Sequence, residues 1–200
     1  MALIIKTPPA SEPVSLSEVK NYLRITDNND DALINSLLTA VRQKAENWTR
    51  RLFITQNWTL WMDSVPEGET IIIPLSPLQS VTHIKSYDTF NSVSTFDSSN
   101  YMVDSTSIPG RIGLNSGHTW PNALRRMNAL EIEFVAGFGD ESSVPESIKQ
   151  GILQWVKLLF ANKSKLYESD ESTSGLLEMN RIAIPPAVMV LWEPYRVFKL

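Results

Sequence analysis

The sequence predicts an α+β fold, with a helical core and a small antiparallel β-sheet region inserted into it. The core is expected to hold a long central helix, a third helix, and short N- and C-terminal helices. Three observations lead there. Residues 30–52 carry Leu33, Ile34, Leu37, Leu38, Val41, Ala45, Trp48 and Leu52 at steps of three, four and one, the wide apolar stripe of an amphipathic helix. Between residues 57 and 136 the period falls to two, as in strands with one covered face. The helical period then returns in Ile148, Ile152, Trp155, Val156 and Leu159. Residues 1–56 and 144–200 are assigned to the helical core and 57–143 to the β-rich insertion, all in a single structural unit.

The elements follow in order. Residues 1–13 hold three prolines and are expected to lie extended against another part of the chain. Ser15 and Glu18 have the spacing of a capping box, and Leu16, Val19, Tyr22 and Leu23 give a short helix ending near Arg24. Asp27, Asn28 and Asn29 favour a turn that launches the long helix, about 35 Å in length at 1.5 Å per residue. Asp30 and Asp31 at its start and Arg50 and Arg51 at its end suit the helix dipole. Asn35, Arg42, Gln43, Glu46 and Arg50 fall on its polar side.

Strand patterns are read at 58–63, 70–73 and 81–87, and the Ser/Thr/Asn-rich stretch 89–100 is read as a loop. Tyr101–Asp104 and Arg111–Leu114 flank Pro109-Gly110 as a hairpin. Leu130, Ile132 and Phe134 alternate with Glu131 and Glu133, a strand with one wet face. Gly137-Phe138-Gly139 is the bend towards the third helix, which Pro145 and Glu146 open. The polar, acidic segment 164–175 is expected to be mobile. Residues 185–192 form a short helix stopped by Pro194, leaving a tail that is both basic and apolar.

Composition narrows the function. A chain of 200 residues with 42% hydrophobic and 20% charged residues suits one domain, or one domain with an insertion. A net charge of −4 argues against a surface that grips DNA phosphates. With no cysteine there is neither a disulfide framework nor thiolate chemistry. No signal peptide or membrane-length apolar run is read, so a soluble protein made in the cytoplasm is expected.

The two histidines, His83 and His118, stand apart in sequence without ligand-spaced neighbours, so no metal is expected. Glu131 and Glu133 share a strand face; paired-carboxylate chemistry is conceivable, but a solvated face is the preferred reading. The Gly137-Phe138-Gly139 bend lacks the third glycine of a dinucleotide site, and no nucleophile elbow occurs. Arg50-Arg51 and Arg125-Arg126 are read as solvated charge. No enzyme, no catalytic residue and no cofactor is expected. Trp48 and Trp155 sit on helical stripes and read as core, while Trp120 and Trp192 are assigned to subunit contact.

An ordered set of segments then resembles a known family. It runs from Glu12-Pro13-Val14-Ser15-Leu16-Ser17-Glu18-Val19-Lys20 through Tyr22-Leu23-Arg24-Ile25, Asp30-Asp31-Ala32-Leu33-Ile34 and Phe53-Ile54-Thr55-Gln56-Asn57-Trp58. It continues through Leu75-Ser76-Pro77-Leu78-Gln79-Ser80-Val81, Phe134-Val135-Ala136-Gly137-Phe138-Gly139 and Val144-Pro145-Glu146-Ser147-Ile148-Lys149-Gln150 to Pro194-Tyr195-Arg196. Together these resemble the head–tail connector (adaptor) proteins of long-tailed bacteriophages and prophages.

The resemblance implies a structural virion protein that assembles with itself into a ring, usually of twelve subunits. That ring sits below the portal protein at the head–tail junction, extends the DNA channel and receives a stopper or tail-completion protein. DNA passes through without sequence-specific binding, and no membrane is involved. Because C-terminal segments of such connectors reach the portal, the resemblance assigns Tyr195, Arg196, Phe198 and Leu200 to portal docking. The rival readings are a small β-rich ligand-binding module or hydrolase of prophage origin using the sheet face, and a DNA-binding packaging factor that the charge disfavours.

Overall fold

The computed structural model describes residues 1–68, 70–162 and 183–197. The chain divides into two compact units. One comprises Met1–Ala10 and Arg50–Phe138; the other comprises Ser11–Thr49 and the described part of Gly139–Leu200.

The strand unit holds two antiparallel sheets. β1 (Ala2–Thr7), β2 (Gln56–Met62), β8 (Leu130–Ala136), β4 (Leu78–Tyr87) and β5 (Val93–Phe96) lie side by side in that order. β3 (Thr70–Ile72), β7 (Arg111–Leu114) and β6 (Tyr101–Asp104) form the second sheet. The period of two decides which side chains are covered: Leu60, Ile84, Leu130, Ile132 and Phe134 point to one side and are 0–1% exposed. Ile71, Ile112, Tyr101 and Trp120 share that core with them, so the sheets pack as two layers.

β1 runs antiparallel to β2, with Leu3 opposite Leu60 and Ile5 opposite Trp58; the register then shifts, leaving Lys6 as an extra residue before Thr7 pairs with Asn57. This extended N-terminus is the first edge of the larger sheet. The stretch read as a loop at 89–100 contains the other edge, β5, followed by a 3-10 turn at Ser98–Asn100.

The helical unit contains α1 (Leu16–Leu23), α2 (Asp31–Thr49), α3 (Glu146–Ala161) and α4 (Pro186–Trp192). The capping box at Ser15 forms as its spacing predicts: Ser15 accepts from the Glu18 N–H while Glu18 accepts from the Ser15 N–H at 2.7 Å. α2 stops at Thr49 rather than at residue 52, because Arg50 takes a left-handed conformation with φ 57. Its 19 residues span about 28 Å. α3 packs against α2, α1 and α4. Two side chains expected on the wet side of α2 are buried: Arg42 is 6% and Glu46 8% exposed. Arg42 donates to Glu46 at 2.9 Å and to Glu12 at 2.7 Å, so the segment before α1 supplies a second carboxylate.

The expected helical core around a long central helix, with a small sheet inserted into it, is corrected by this architecture. Among the described residues the strands number eight, build a two-layer core of their own and recruit the N-terminus as an edge. The helical stripe stood out because it is contiguous in sequence. The sheet core is scattered from Leu52 to Ala136 and becomes one body only when the strands pair. Residues 164–175, expected to be mobile, lie outside the described residues.

Candidate functional site

The side of the large sheet away from its core gathers most of the chain's unusual chemistry. Register places Glu131 between Trp61 of β2 and Lys85 of β4, and Glu133 between Thr59 and His83. Lys6, the extra residue in β1, lies on the same face as Ile4, and its ammonium donates to Glu133. His83 Nε2 lies 3.4 Å from Glu131 and 3.6 Å from Glu133. Tyr87 donates its hydroxyl to Glu131 at 2.5 Å, and Lys85 stands 3.9 Å from the same carboxylate. The Tyr87 ring lies 5.7 Å from Trp61 and carries the Arg125 guanidinium 4.1 Å above it.

The face expected to be wet is therefore largely covered: the Glu131 and Glu133 side chains are 15% and 9% exposed. Sequence reasoning missed the constellation because its members come from three strands, and register alone makes them neighbours. His83 and Glu133, partners across β4 and β8, are 50 positions apart, and two register shifts precede His83 along β4. The available signal was the alternation itself, which places His83, Lys85 and Tyr87 on one side of β4.

Charge explains what this face can do. Burial alone would push the Glu131 carboxyl up, but hydrogen bonds from Tyr87 and His83, with Lys85 beside them, hold it below its ordinary value. The hydrogen bond to Glu131, aided by burial, pushes the Tyr87 phenol up. A carboxylate so held is ionised rather than poised near neutrality as a general base needs. One ligand atom each of His83, Glu131 and Glu133 lies within 4.8 Å of the others, a spacing a cation could bridge. Here Lys6 and Lys85 supply positive charge to the two carboxylates, so the face works as a charge-balanced strap across β1, β8 and β4.

With its folded pKa lowered, Glu131 contributes stability that is present above its ordinary 4.5 and is lost as pH falls through the folded value. Glu131→Gln is expected to melt below wild type at pH 7, with the gap closing on acidification below 4.5. A gap independent of pH in thermal melts would show that these bonds do not favour the charged form.

The residues singled out for contacts are placed as follows. Trp120 is buried, donates to the Gly68 carbonyl at 3.3 Å and lies 5.5 Å from the Phe96 ring. Trp192 is fully buried between its own helices. Tyr195 is half-buried, and Arg196 is exposed with its guanidinium 4.8 Å from the Trp48 ring. The Val197 N–H donates to the Thr49 carbonyl at 2.9 Å, tying the start of the tail to the end of α2. Phe198 and Leu200 lie outside the described residues. Trp120 belongs to the strand unit, whereas Trp192, Tyr195 and Arg196 belong to the helical unit. Among the described residues no helix is long and apolar enough to cross a membrane.

Comparison with known proteins adds what the geometry lacks. Residues 13–110 match the family model described as Phage gp6-like head-tail connector protein, and the expected resemblance is borne out. The family is one of structural phage components, in keeping with the reading of a protein that is not an enzyme. The fold recurs in solved gene transfer agent (GTA) particles. A chain in the neck of an empty GTA particle computed with C6 symmetry superposes with a TM-score of 0.77 at 21% identity, over 100% of this chain and 97% of that one. A chain of the native GTA virion gives 0.75 at 20%, with the same coverage. One from the neck of a native GTA particle computed with C12 symmetry gives 0.74 at 21%, again with the same coverage. No curated protein matches the sequence.

Proposed function

We propose that this chain, which matches the phage head-tail connector family model across residues 13–110, forms a ring at the head–tail junction of a phage-like particle. The family match is the observation that carries this reading. The fold, found in necks computed with C6 and C12 symmetry, supports a ring as the working form. The ring sits beneath a portal protein, extends the DNA channel and receives a stopper or tail-completion protein below. A net charge of −4 suits a channel wall along which DNA slides without sequence-specific binding. The protein is made in the bacterial host cytoplasm and enters the virion by assembly. The test is genetic: particles lacking the chain should fill heads that never acquire tails, and supplying the chain in trans should restore joining. Normal tailed particles in its absence would overturn the reading.

Portal docking belongs to the tail. Tyr195, which closes the 3-10 turn Glu193–Tyr195 after α4, and Arg196, with Phe198 and Leu200 beyond them in sequence, offer aromatic and basic anchors. Deleting residues 195–200 is expected to lower the melting temperature only slightly, through loss of the Val197–Thr49 bond and the Arg196–Trp48 contact, while abolishing attachment to portal-bearing heads. A truncated chain that folds and still attaches would refute the docking. A truncated chain that fails to fold would assign these residues to the subunit's own core.

A further inference from the structure

We propose that neighbouring copies join through their sheet edges, with residues 2–5 of β1 in one copy pairing in parallel with Val93–Phe96 of β5 in the next. This inference rests on the ring reading above and names the surface that would build the ring.

β1 and β5 are the terminal strands of the five-stranded sheet. Every pairing between them is antiparallel, and there are four, so the two edges run in the same direction. A second copy displaced along the hydrogen-bonding direction, without being turned over, brings its β5 edge alongside β1. Such a contact uses different surfaces on the two copies and closes into a ring when each step adds a rotation.

Both edges lack the usual protection. Natural edge strands are blunted by lysine, proline or a bulge. In β1 these devices occupy one end only: the register shift, Lys6, Pro8 and Pro9. Ahead of them Leu3, Ile4 and Ile5 are 38%, 54% and 42% exposed. Leu3 and Ile5 stand opposite Leu60 and Trp58, so the apolar layer of the core runs out to this edge and ends uncovered. On the other side Val93 is 56% exposed, and Ser94 and Thr95 are exposed as well.

The lengths and charges also match. Four unprotected residues of β1 lead to Lys6, and the four residues of β5 lead to Asp97. Paired in parallel with Ile4 beside Thr95, the strands bring the Lys6 ammonium, 55% exposed, towards the exposed Asp97 carboxylate. Antiparallel pairing of two β1 edges would instead give a closed dimer and leave both β5 edges open.

The absence of cysteine makes the test direct. Ile4→Cys, Thr95→Cys and the double variant are purified, treated with a short thiol cross-linker, and imaged by electron microscopy. The double variant is expected to give a covalent ladder beyond the dimer, and neither single variant a cross-link. Ile4→Lys should melt like wild type while self-associating about tenfold more weakly, as expected for loss of one buried apolar anchor. A double variant that stays uncross-linked overturns the edge pairing, whether or not rings are seen; rings without cross-links leave the ring reading intact. Ile4→Cys alone dimerising as efficiently as the double variant overturns it in favour of β1–β1 pairing. A ladder without closed rings supports the edge contact and overturns the ring.

Discussion

Trp192→Ala is expected to destabilise the chain by about 3–5 kcal/mol, the range for removing a fully buried large aromatic side chain. The residue is 0% exposed, donates its indole N–H to the Ile148 carbonyl at 3.2 Å, and lies 5.8 Å from the Trp155 ring. Its seat is Gly151, in the middle of α3, where a Cβ would stand 2.2 Å from the Trp192 indole nitrogen. Helix propensity alone says that Gly151→Ala stabilises by about 1 kcal/mol. The indole reverses the sign: an added methyl must push Trp192 out of place. The two substitutions should therefore couple, with Gly151→Ala harmful in the wild-type background and neutral or favourable once Trp192 is alanine. For a chain of this size a loss of 3–5 kcal/mol lowers the melting temperature by roughly 6–20 °C. Melts of Trp192→Ala within two or so degrees of wild type would show that the pocket collapses at little cost.

Gly137→Ala is expected to lose about 3–4 kcal/mol, through backbone rather than side-chain packing. Gly137 adopts φ +135, where side chains are rarely tolerated, and a Cβ there would lie 2.5 Å from the Ile54 carbonyl oxygen and 2.8 Å from the Thr55 Cα. Neither atom can swing away as a side chain could. The same glycine donates its N–H to the Pro77 carbonyl at 2.9 Å and accepts from Gln79 at 2.8 Å, so shifting it breaks contacts on both sides. Gly139→Ala makes a useful contrast. It shares the positive φ, but its nearest neighbour is the Ser143 side chain, which can rotate. Urea unfolding should show Gly137→Ala with the lower midpoint and an unchanged slope. Equal midpoints for the two variants would remove backbone crowding as the reason.

These two positions also mark what sequence reading reached. The bend at Gly137-Phe138-Gly139 was legible because two glycines close together after a strand have few other uses. The helical stripes were legible because 3.6-residue periodicity lies within a single segment: Leu38, Val41, Ile152 and Val156 are all 0–1% exposed. A short apolar run after Pro185-Pro186 reads as terminal, yet Trp192 is fully buried in the subunit, and Gly151 gives no warning that it makes room for an indole. Val93-Ser94-Thr95-Phe96 reads as loop because it shows no alternation of apolar and polar residues; as an edge strand, β5 owes its form to β4 alone. The His83–Glu131–Glu133 face and the pairing of Arg42 with Glu12 depend on partners 30 to 127 positions away, counting Lys6 on Glu133. Local patterns carry no record of those partners.

The division of the chain has a consequence for how it can be made and cut. The backbone passes from one unit to the other after Ala10, after Thr49 and after Phe138. No single stop codon or protease nick can release either unit intact. A ribosome that has delivered residues 1–62 has made β1 and β2, yet β8, which lies between β2 and β4, follows only at Leu130–Ala136. At elongation rates of about 5–20 residues per second that wait is on the order of several seconds. During it the apolar side of β2 stays unsheltered, and the nascent protein depends on chaperones or on sheer speed to escape aggregation. Fragment expression, the usual shortcut for two-unit proteins, should therefore yield insoluble material here.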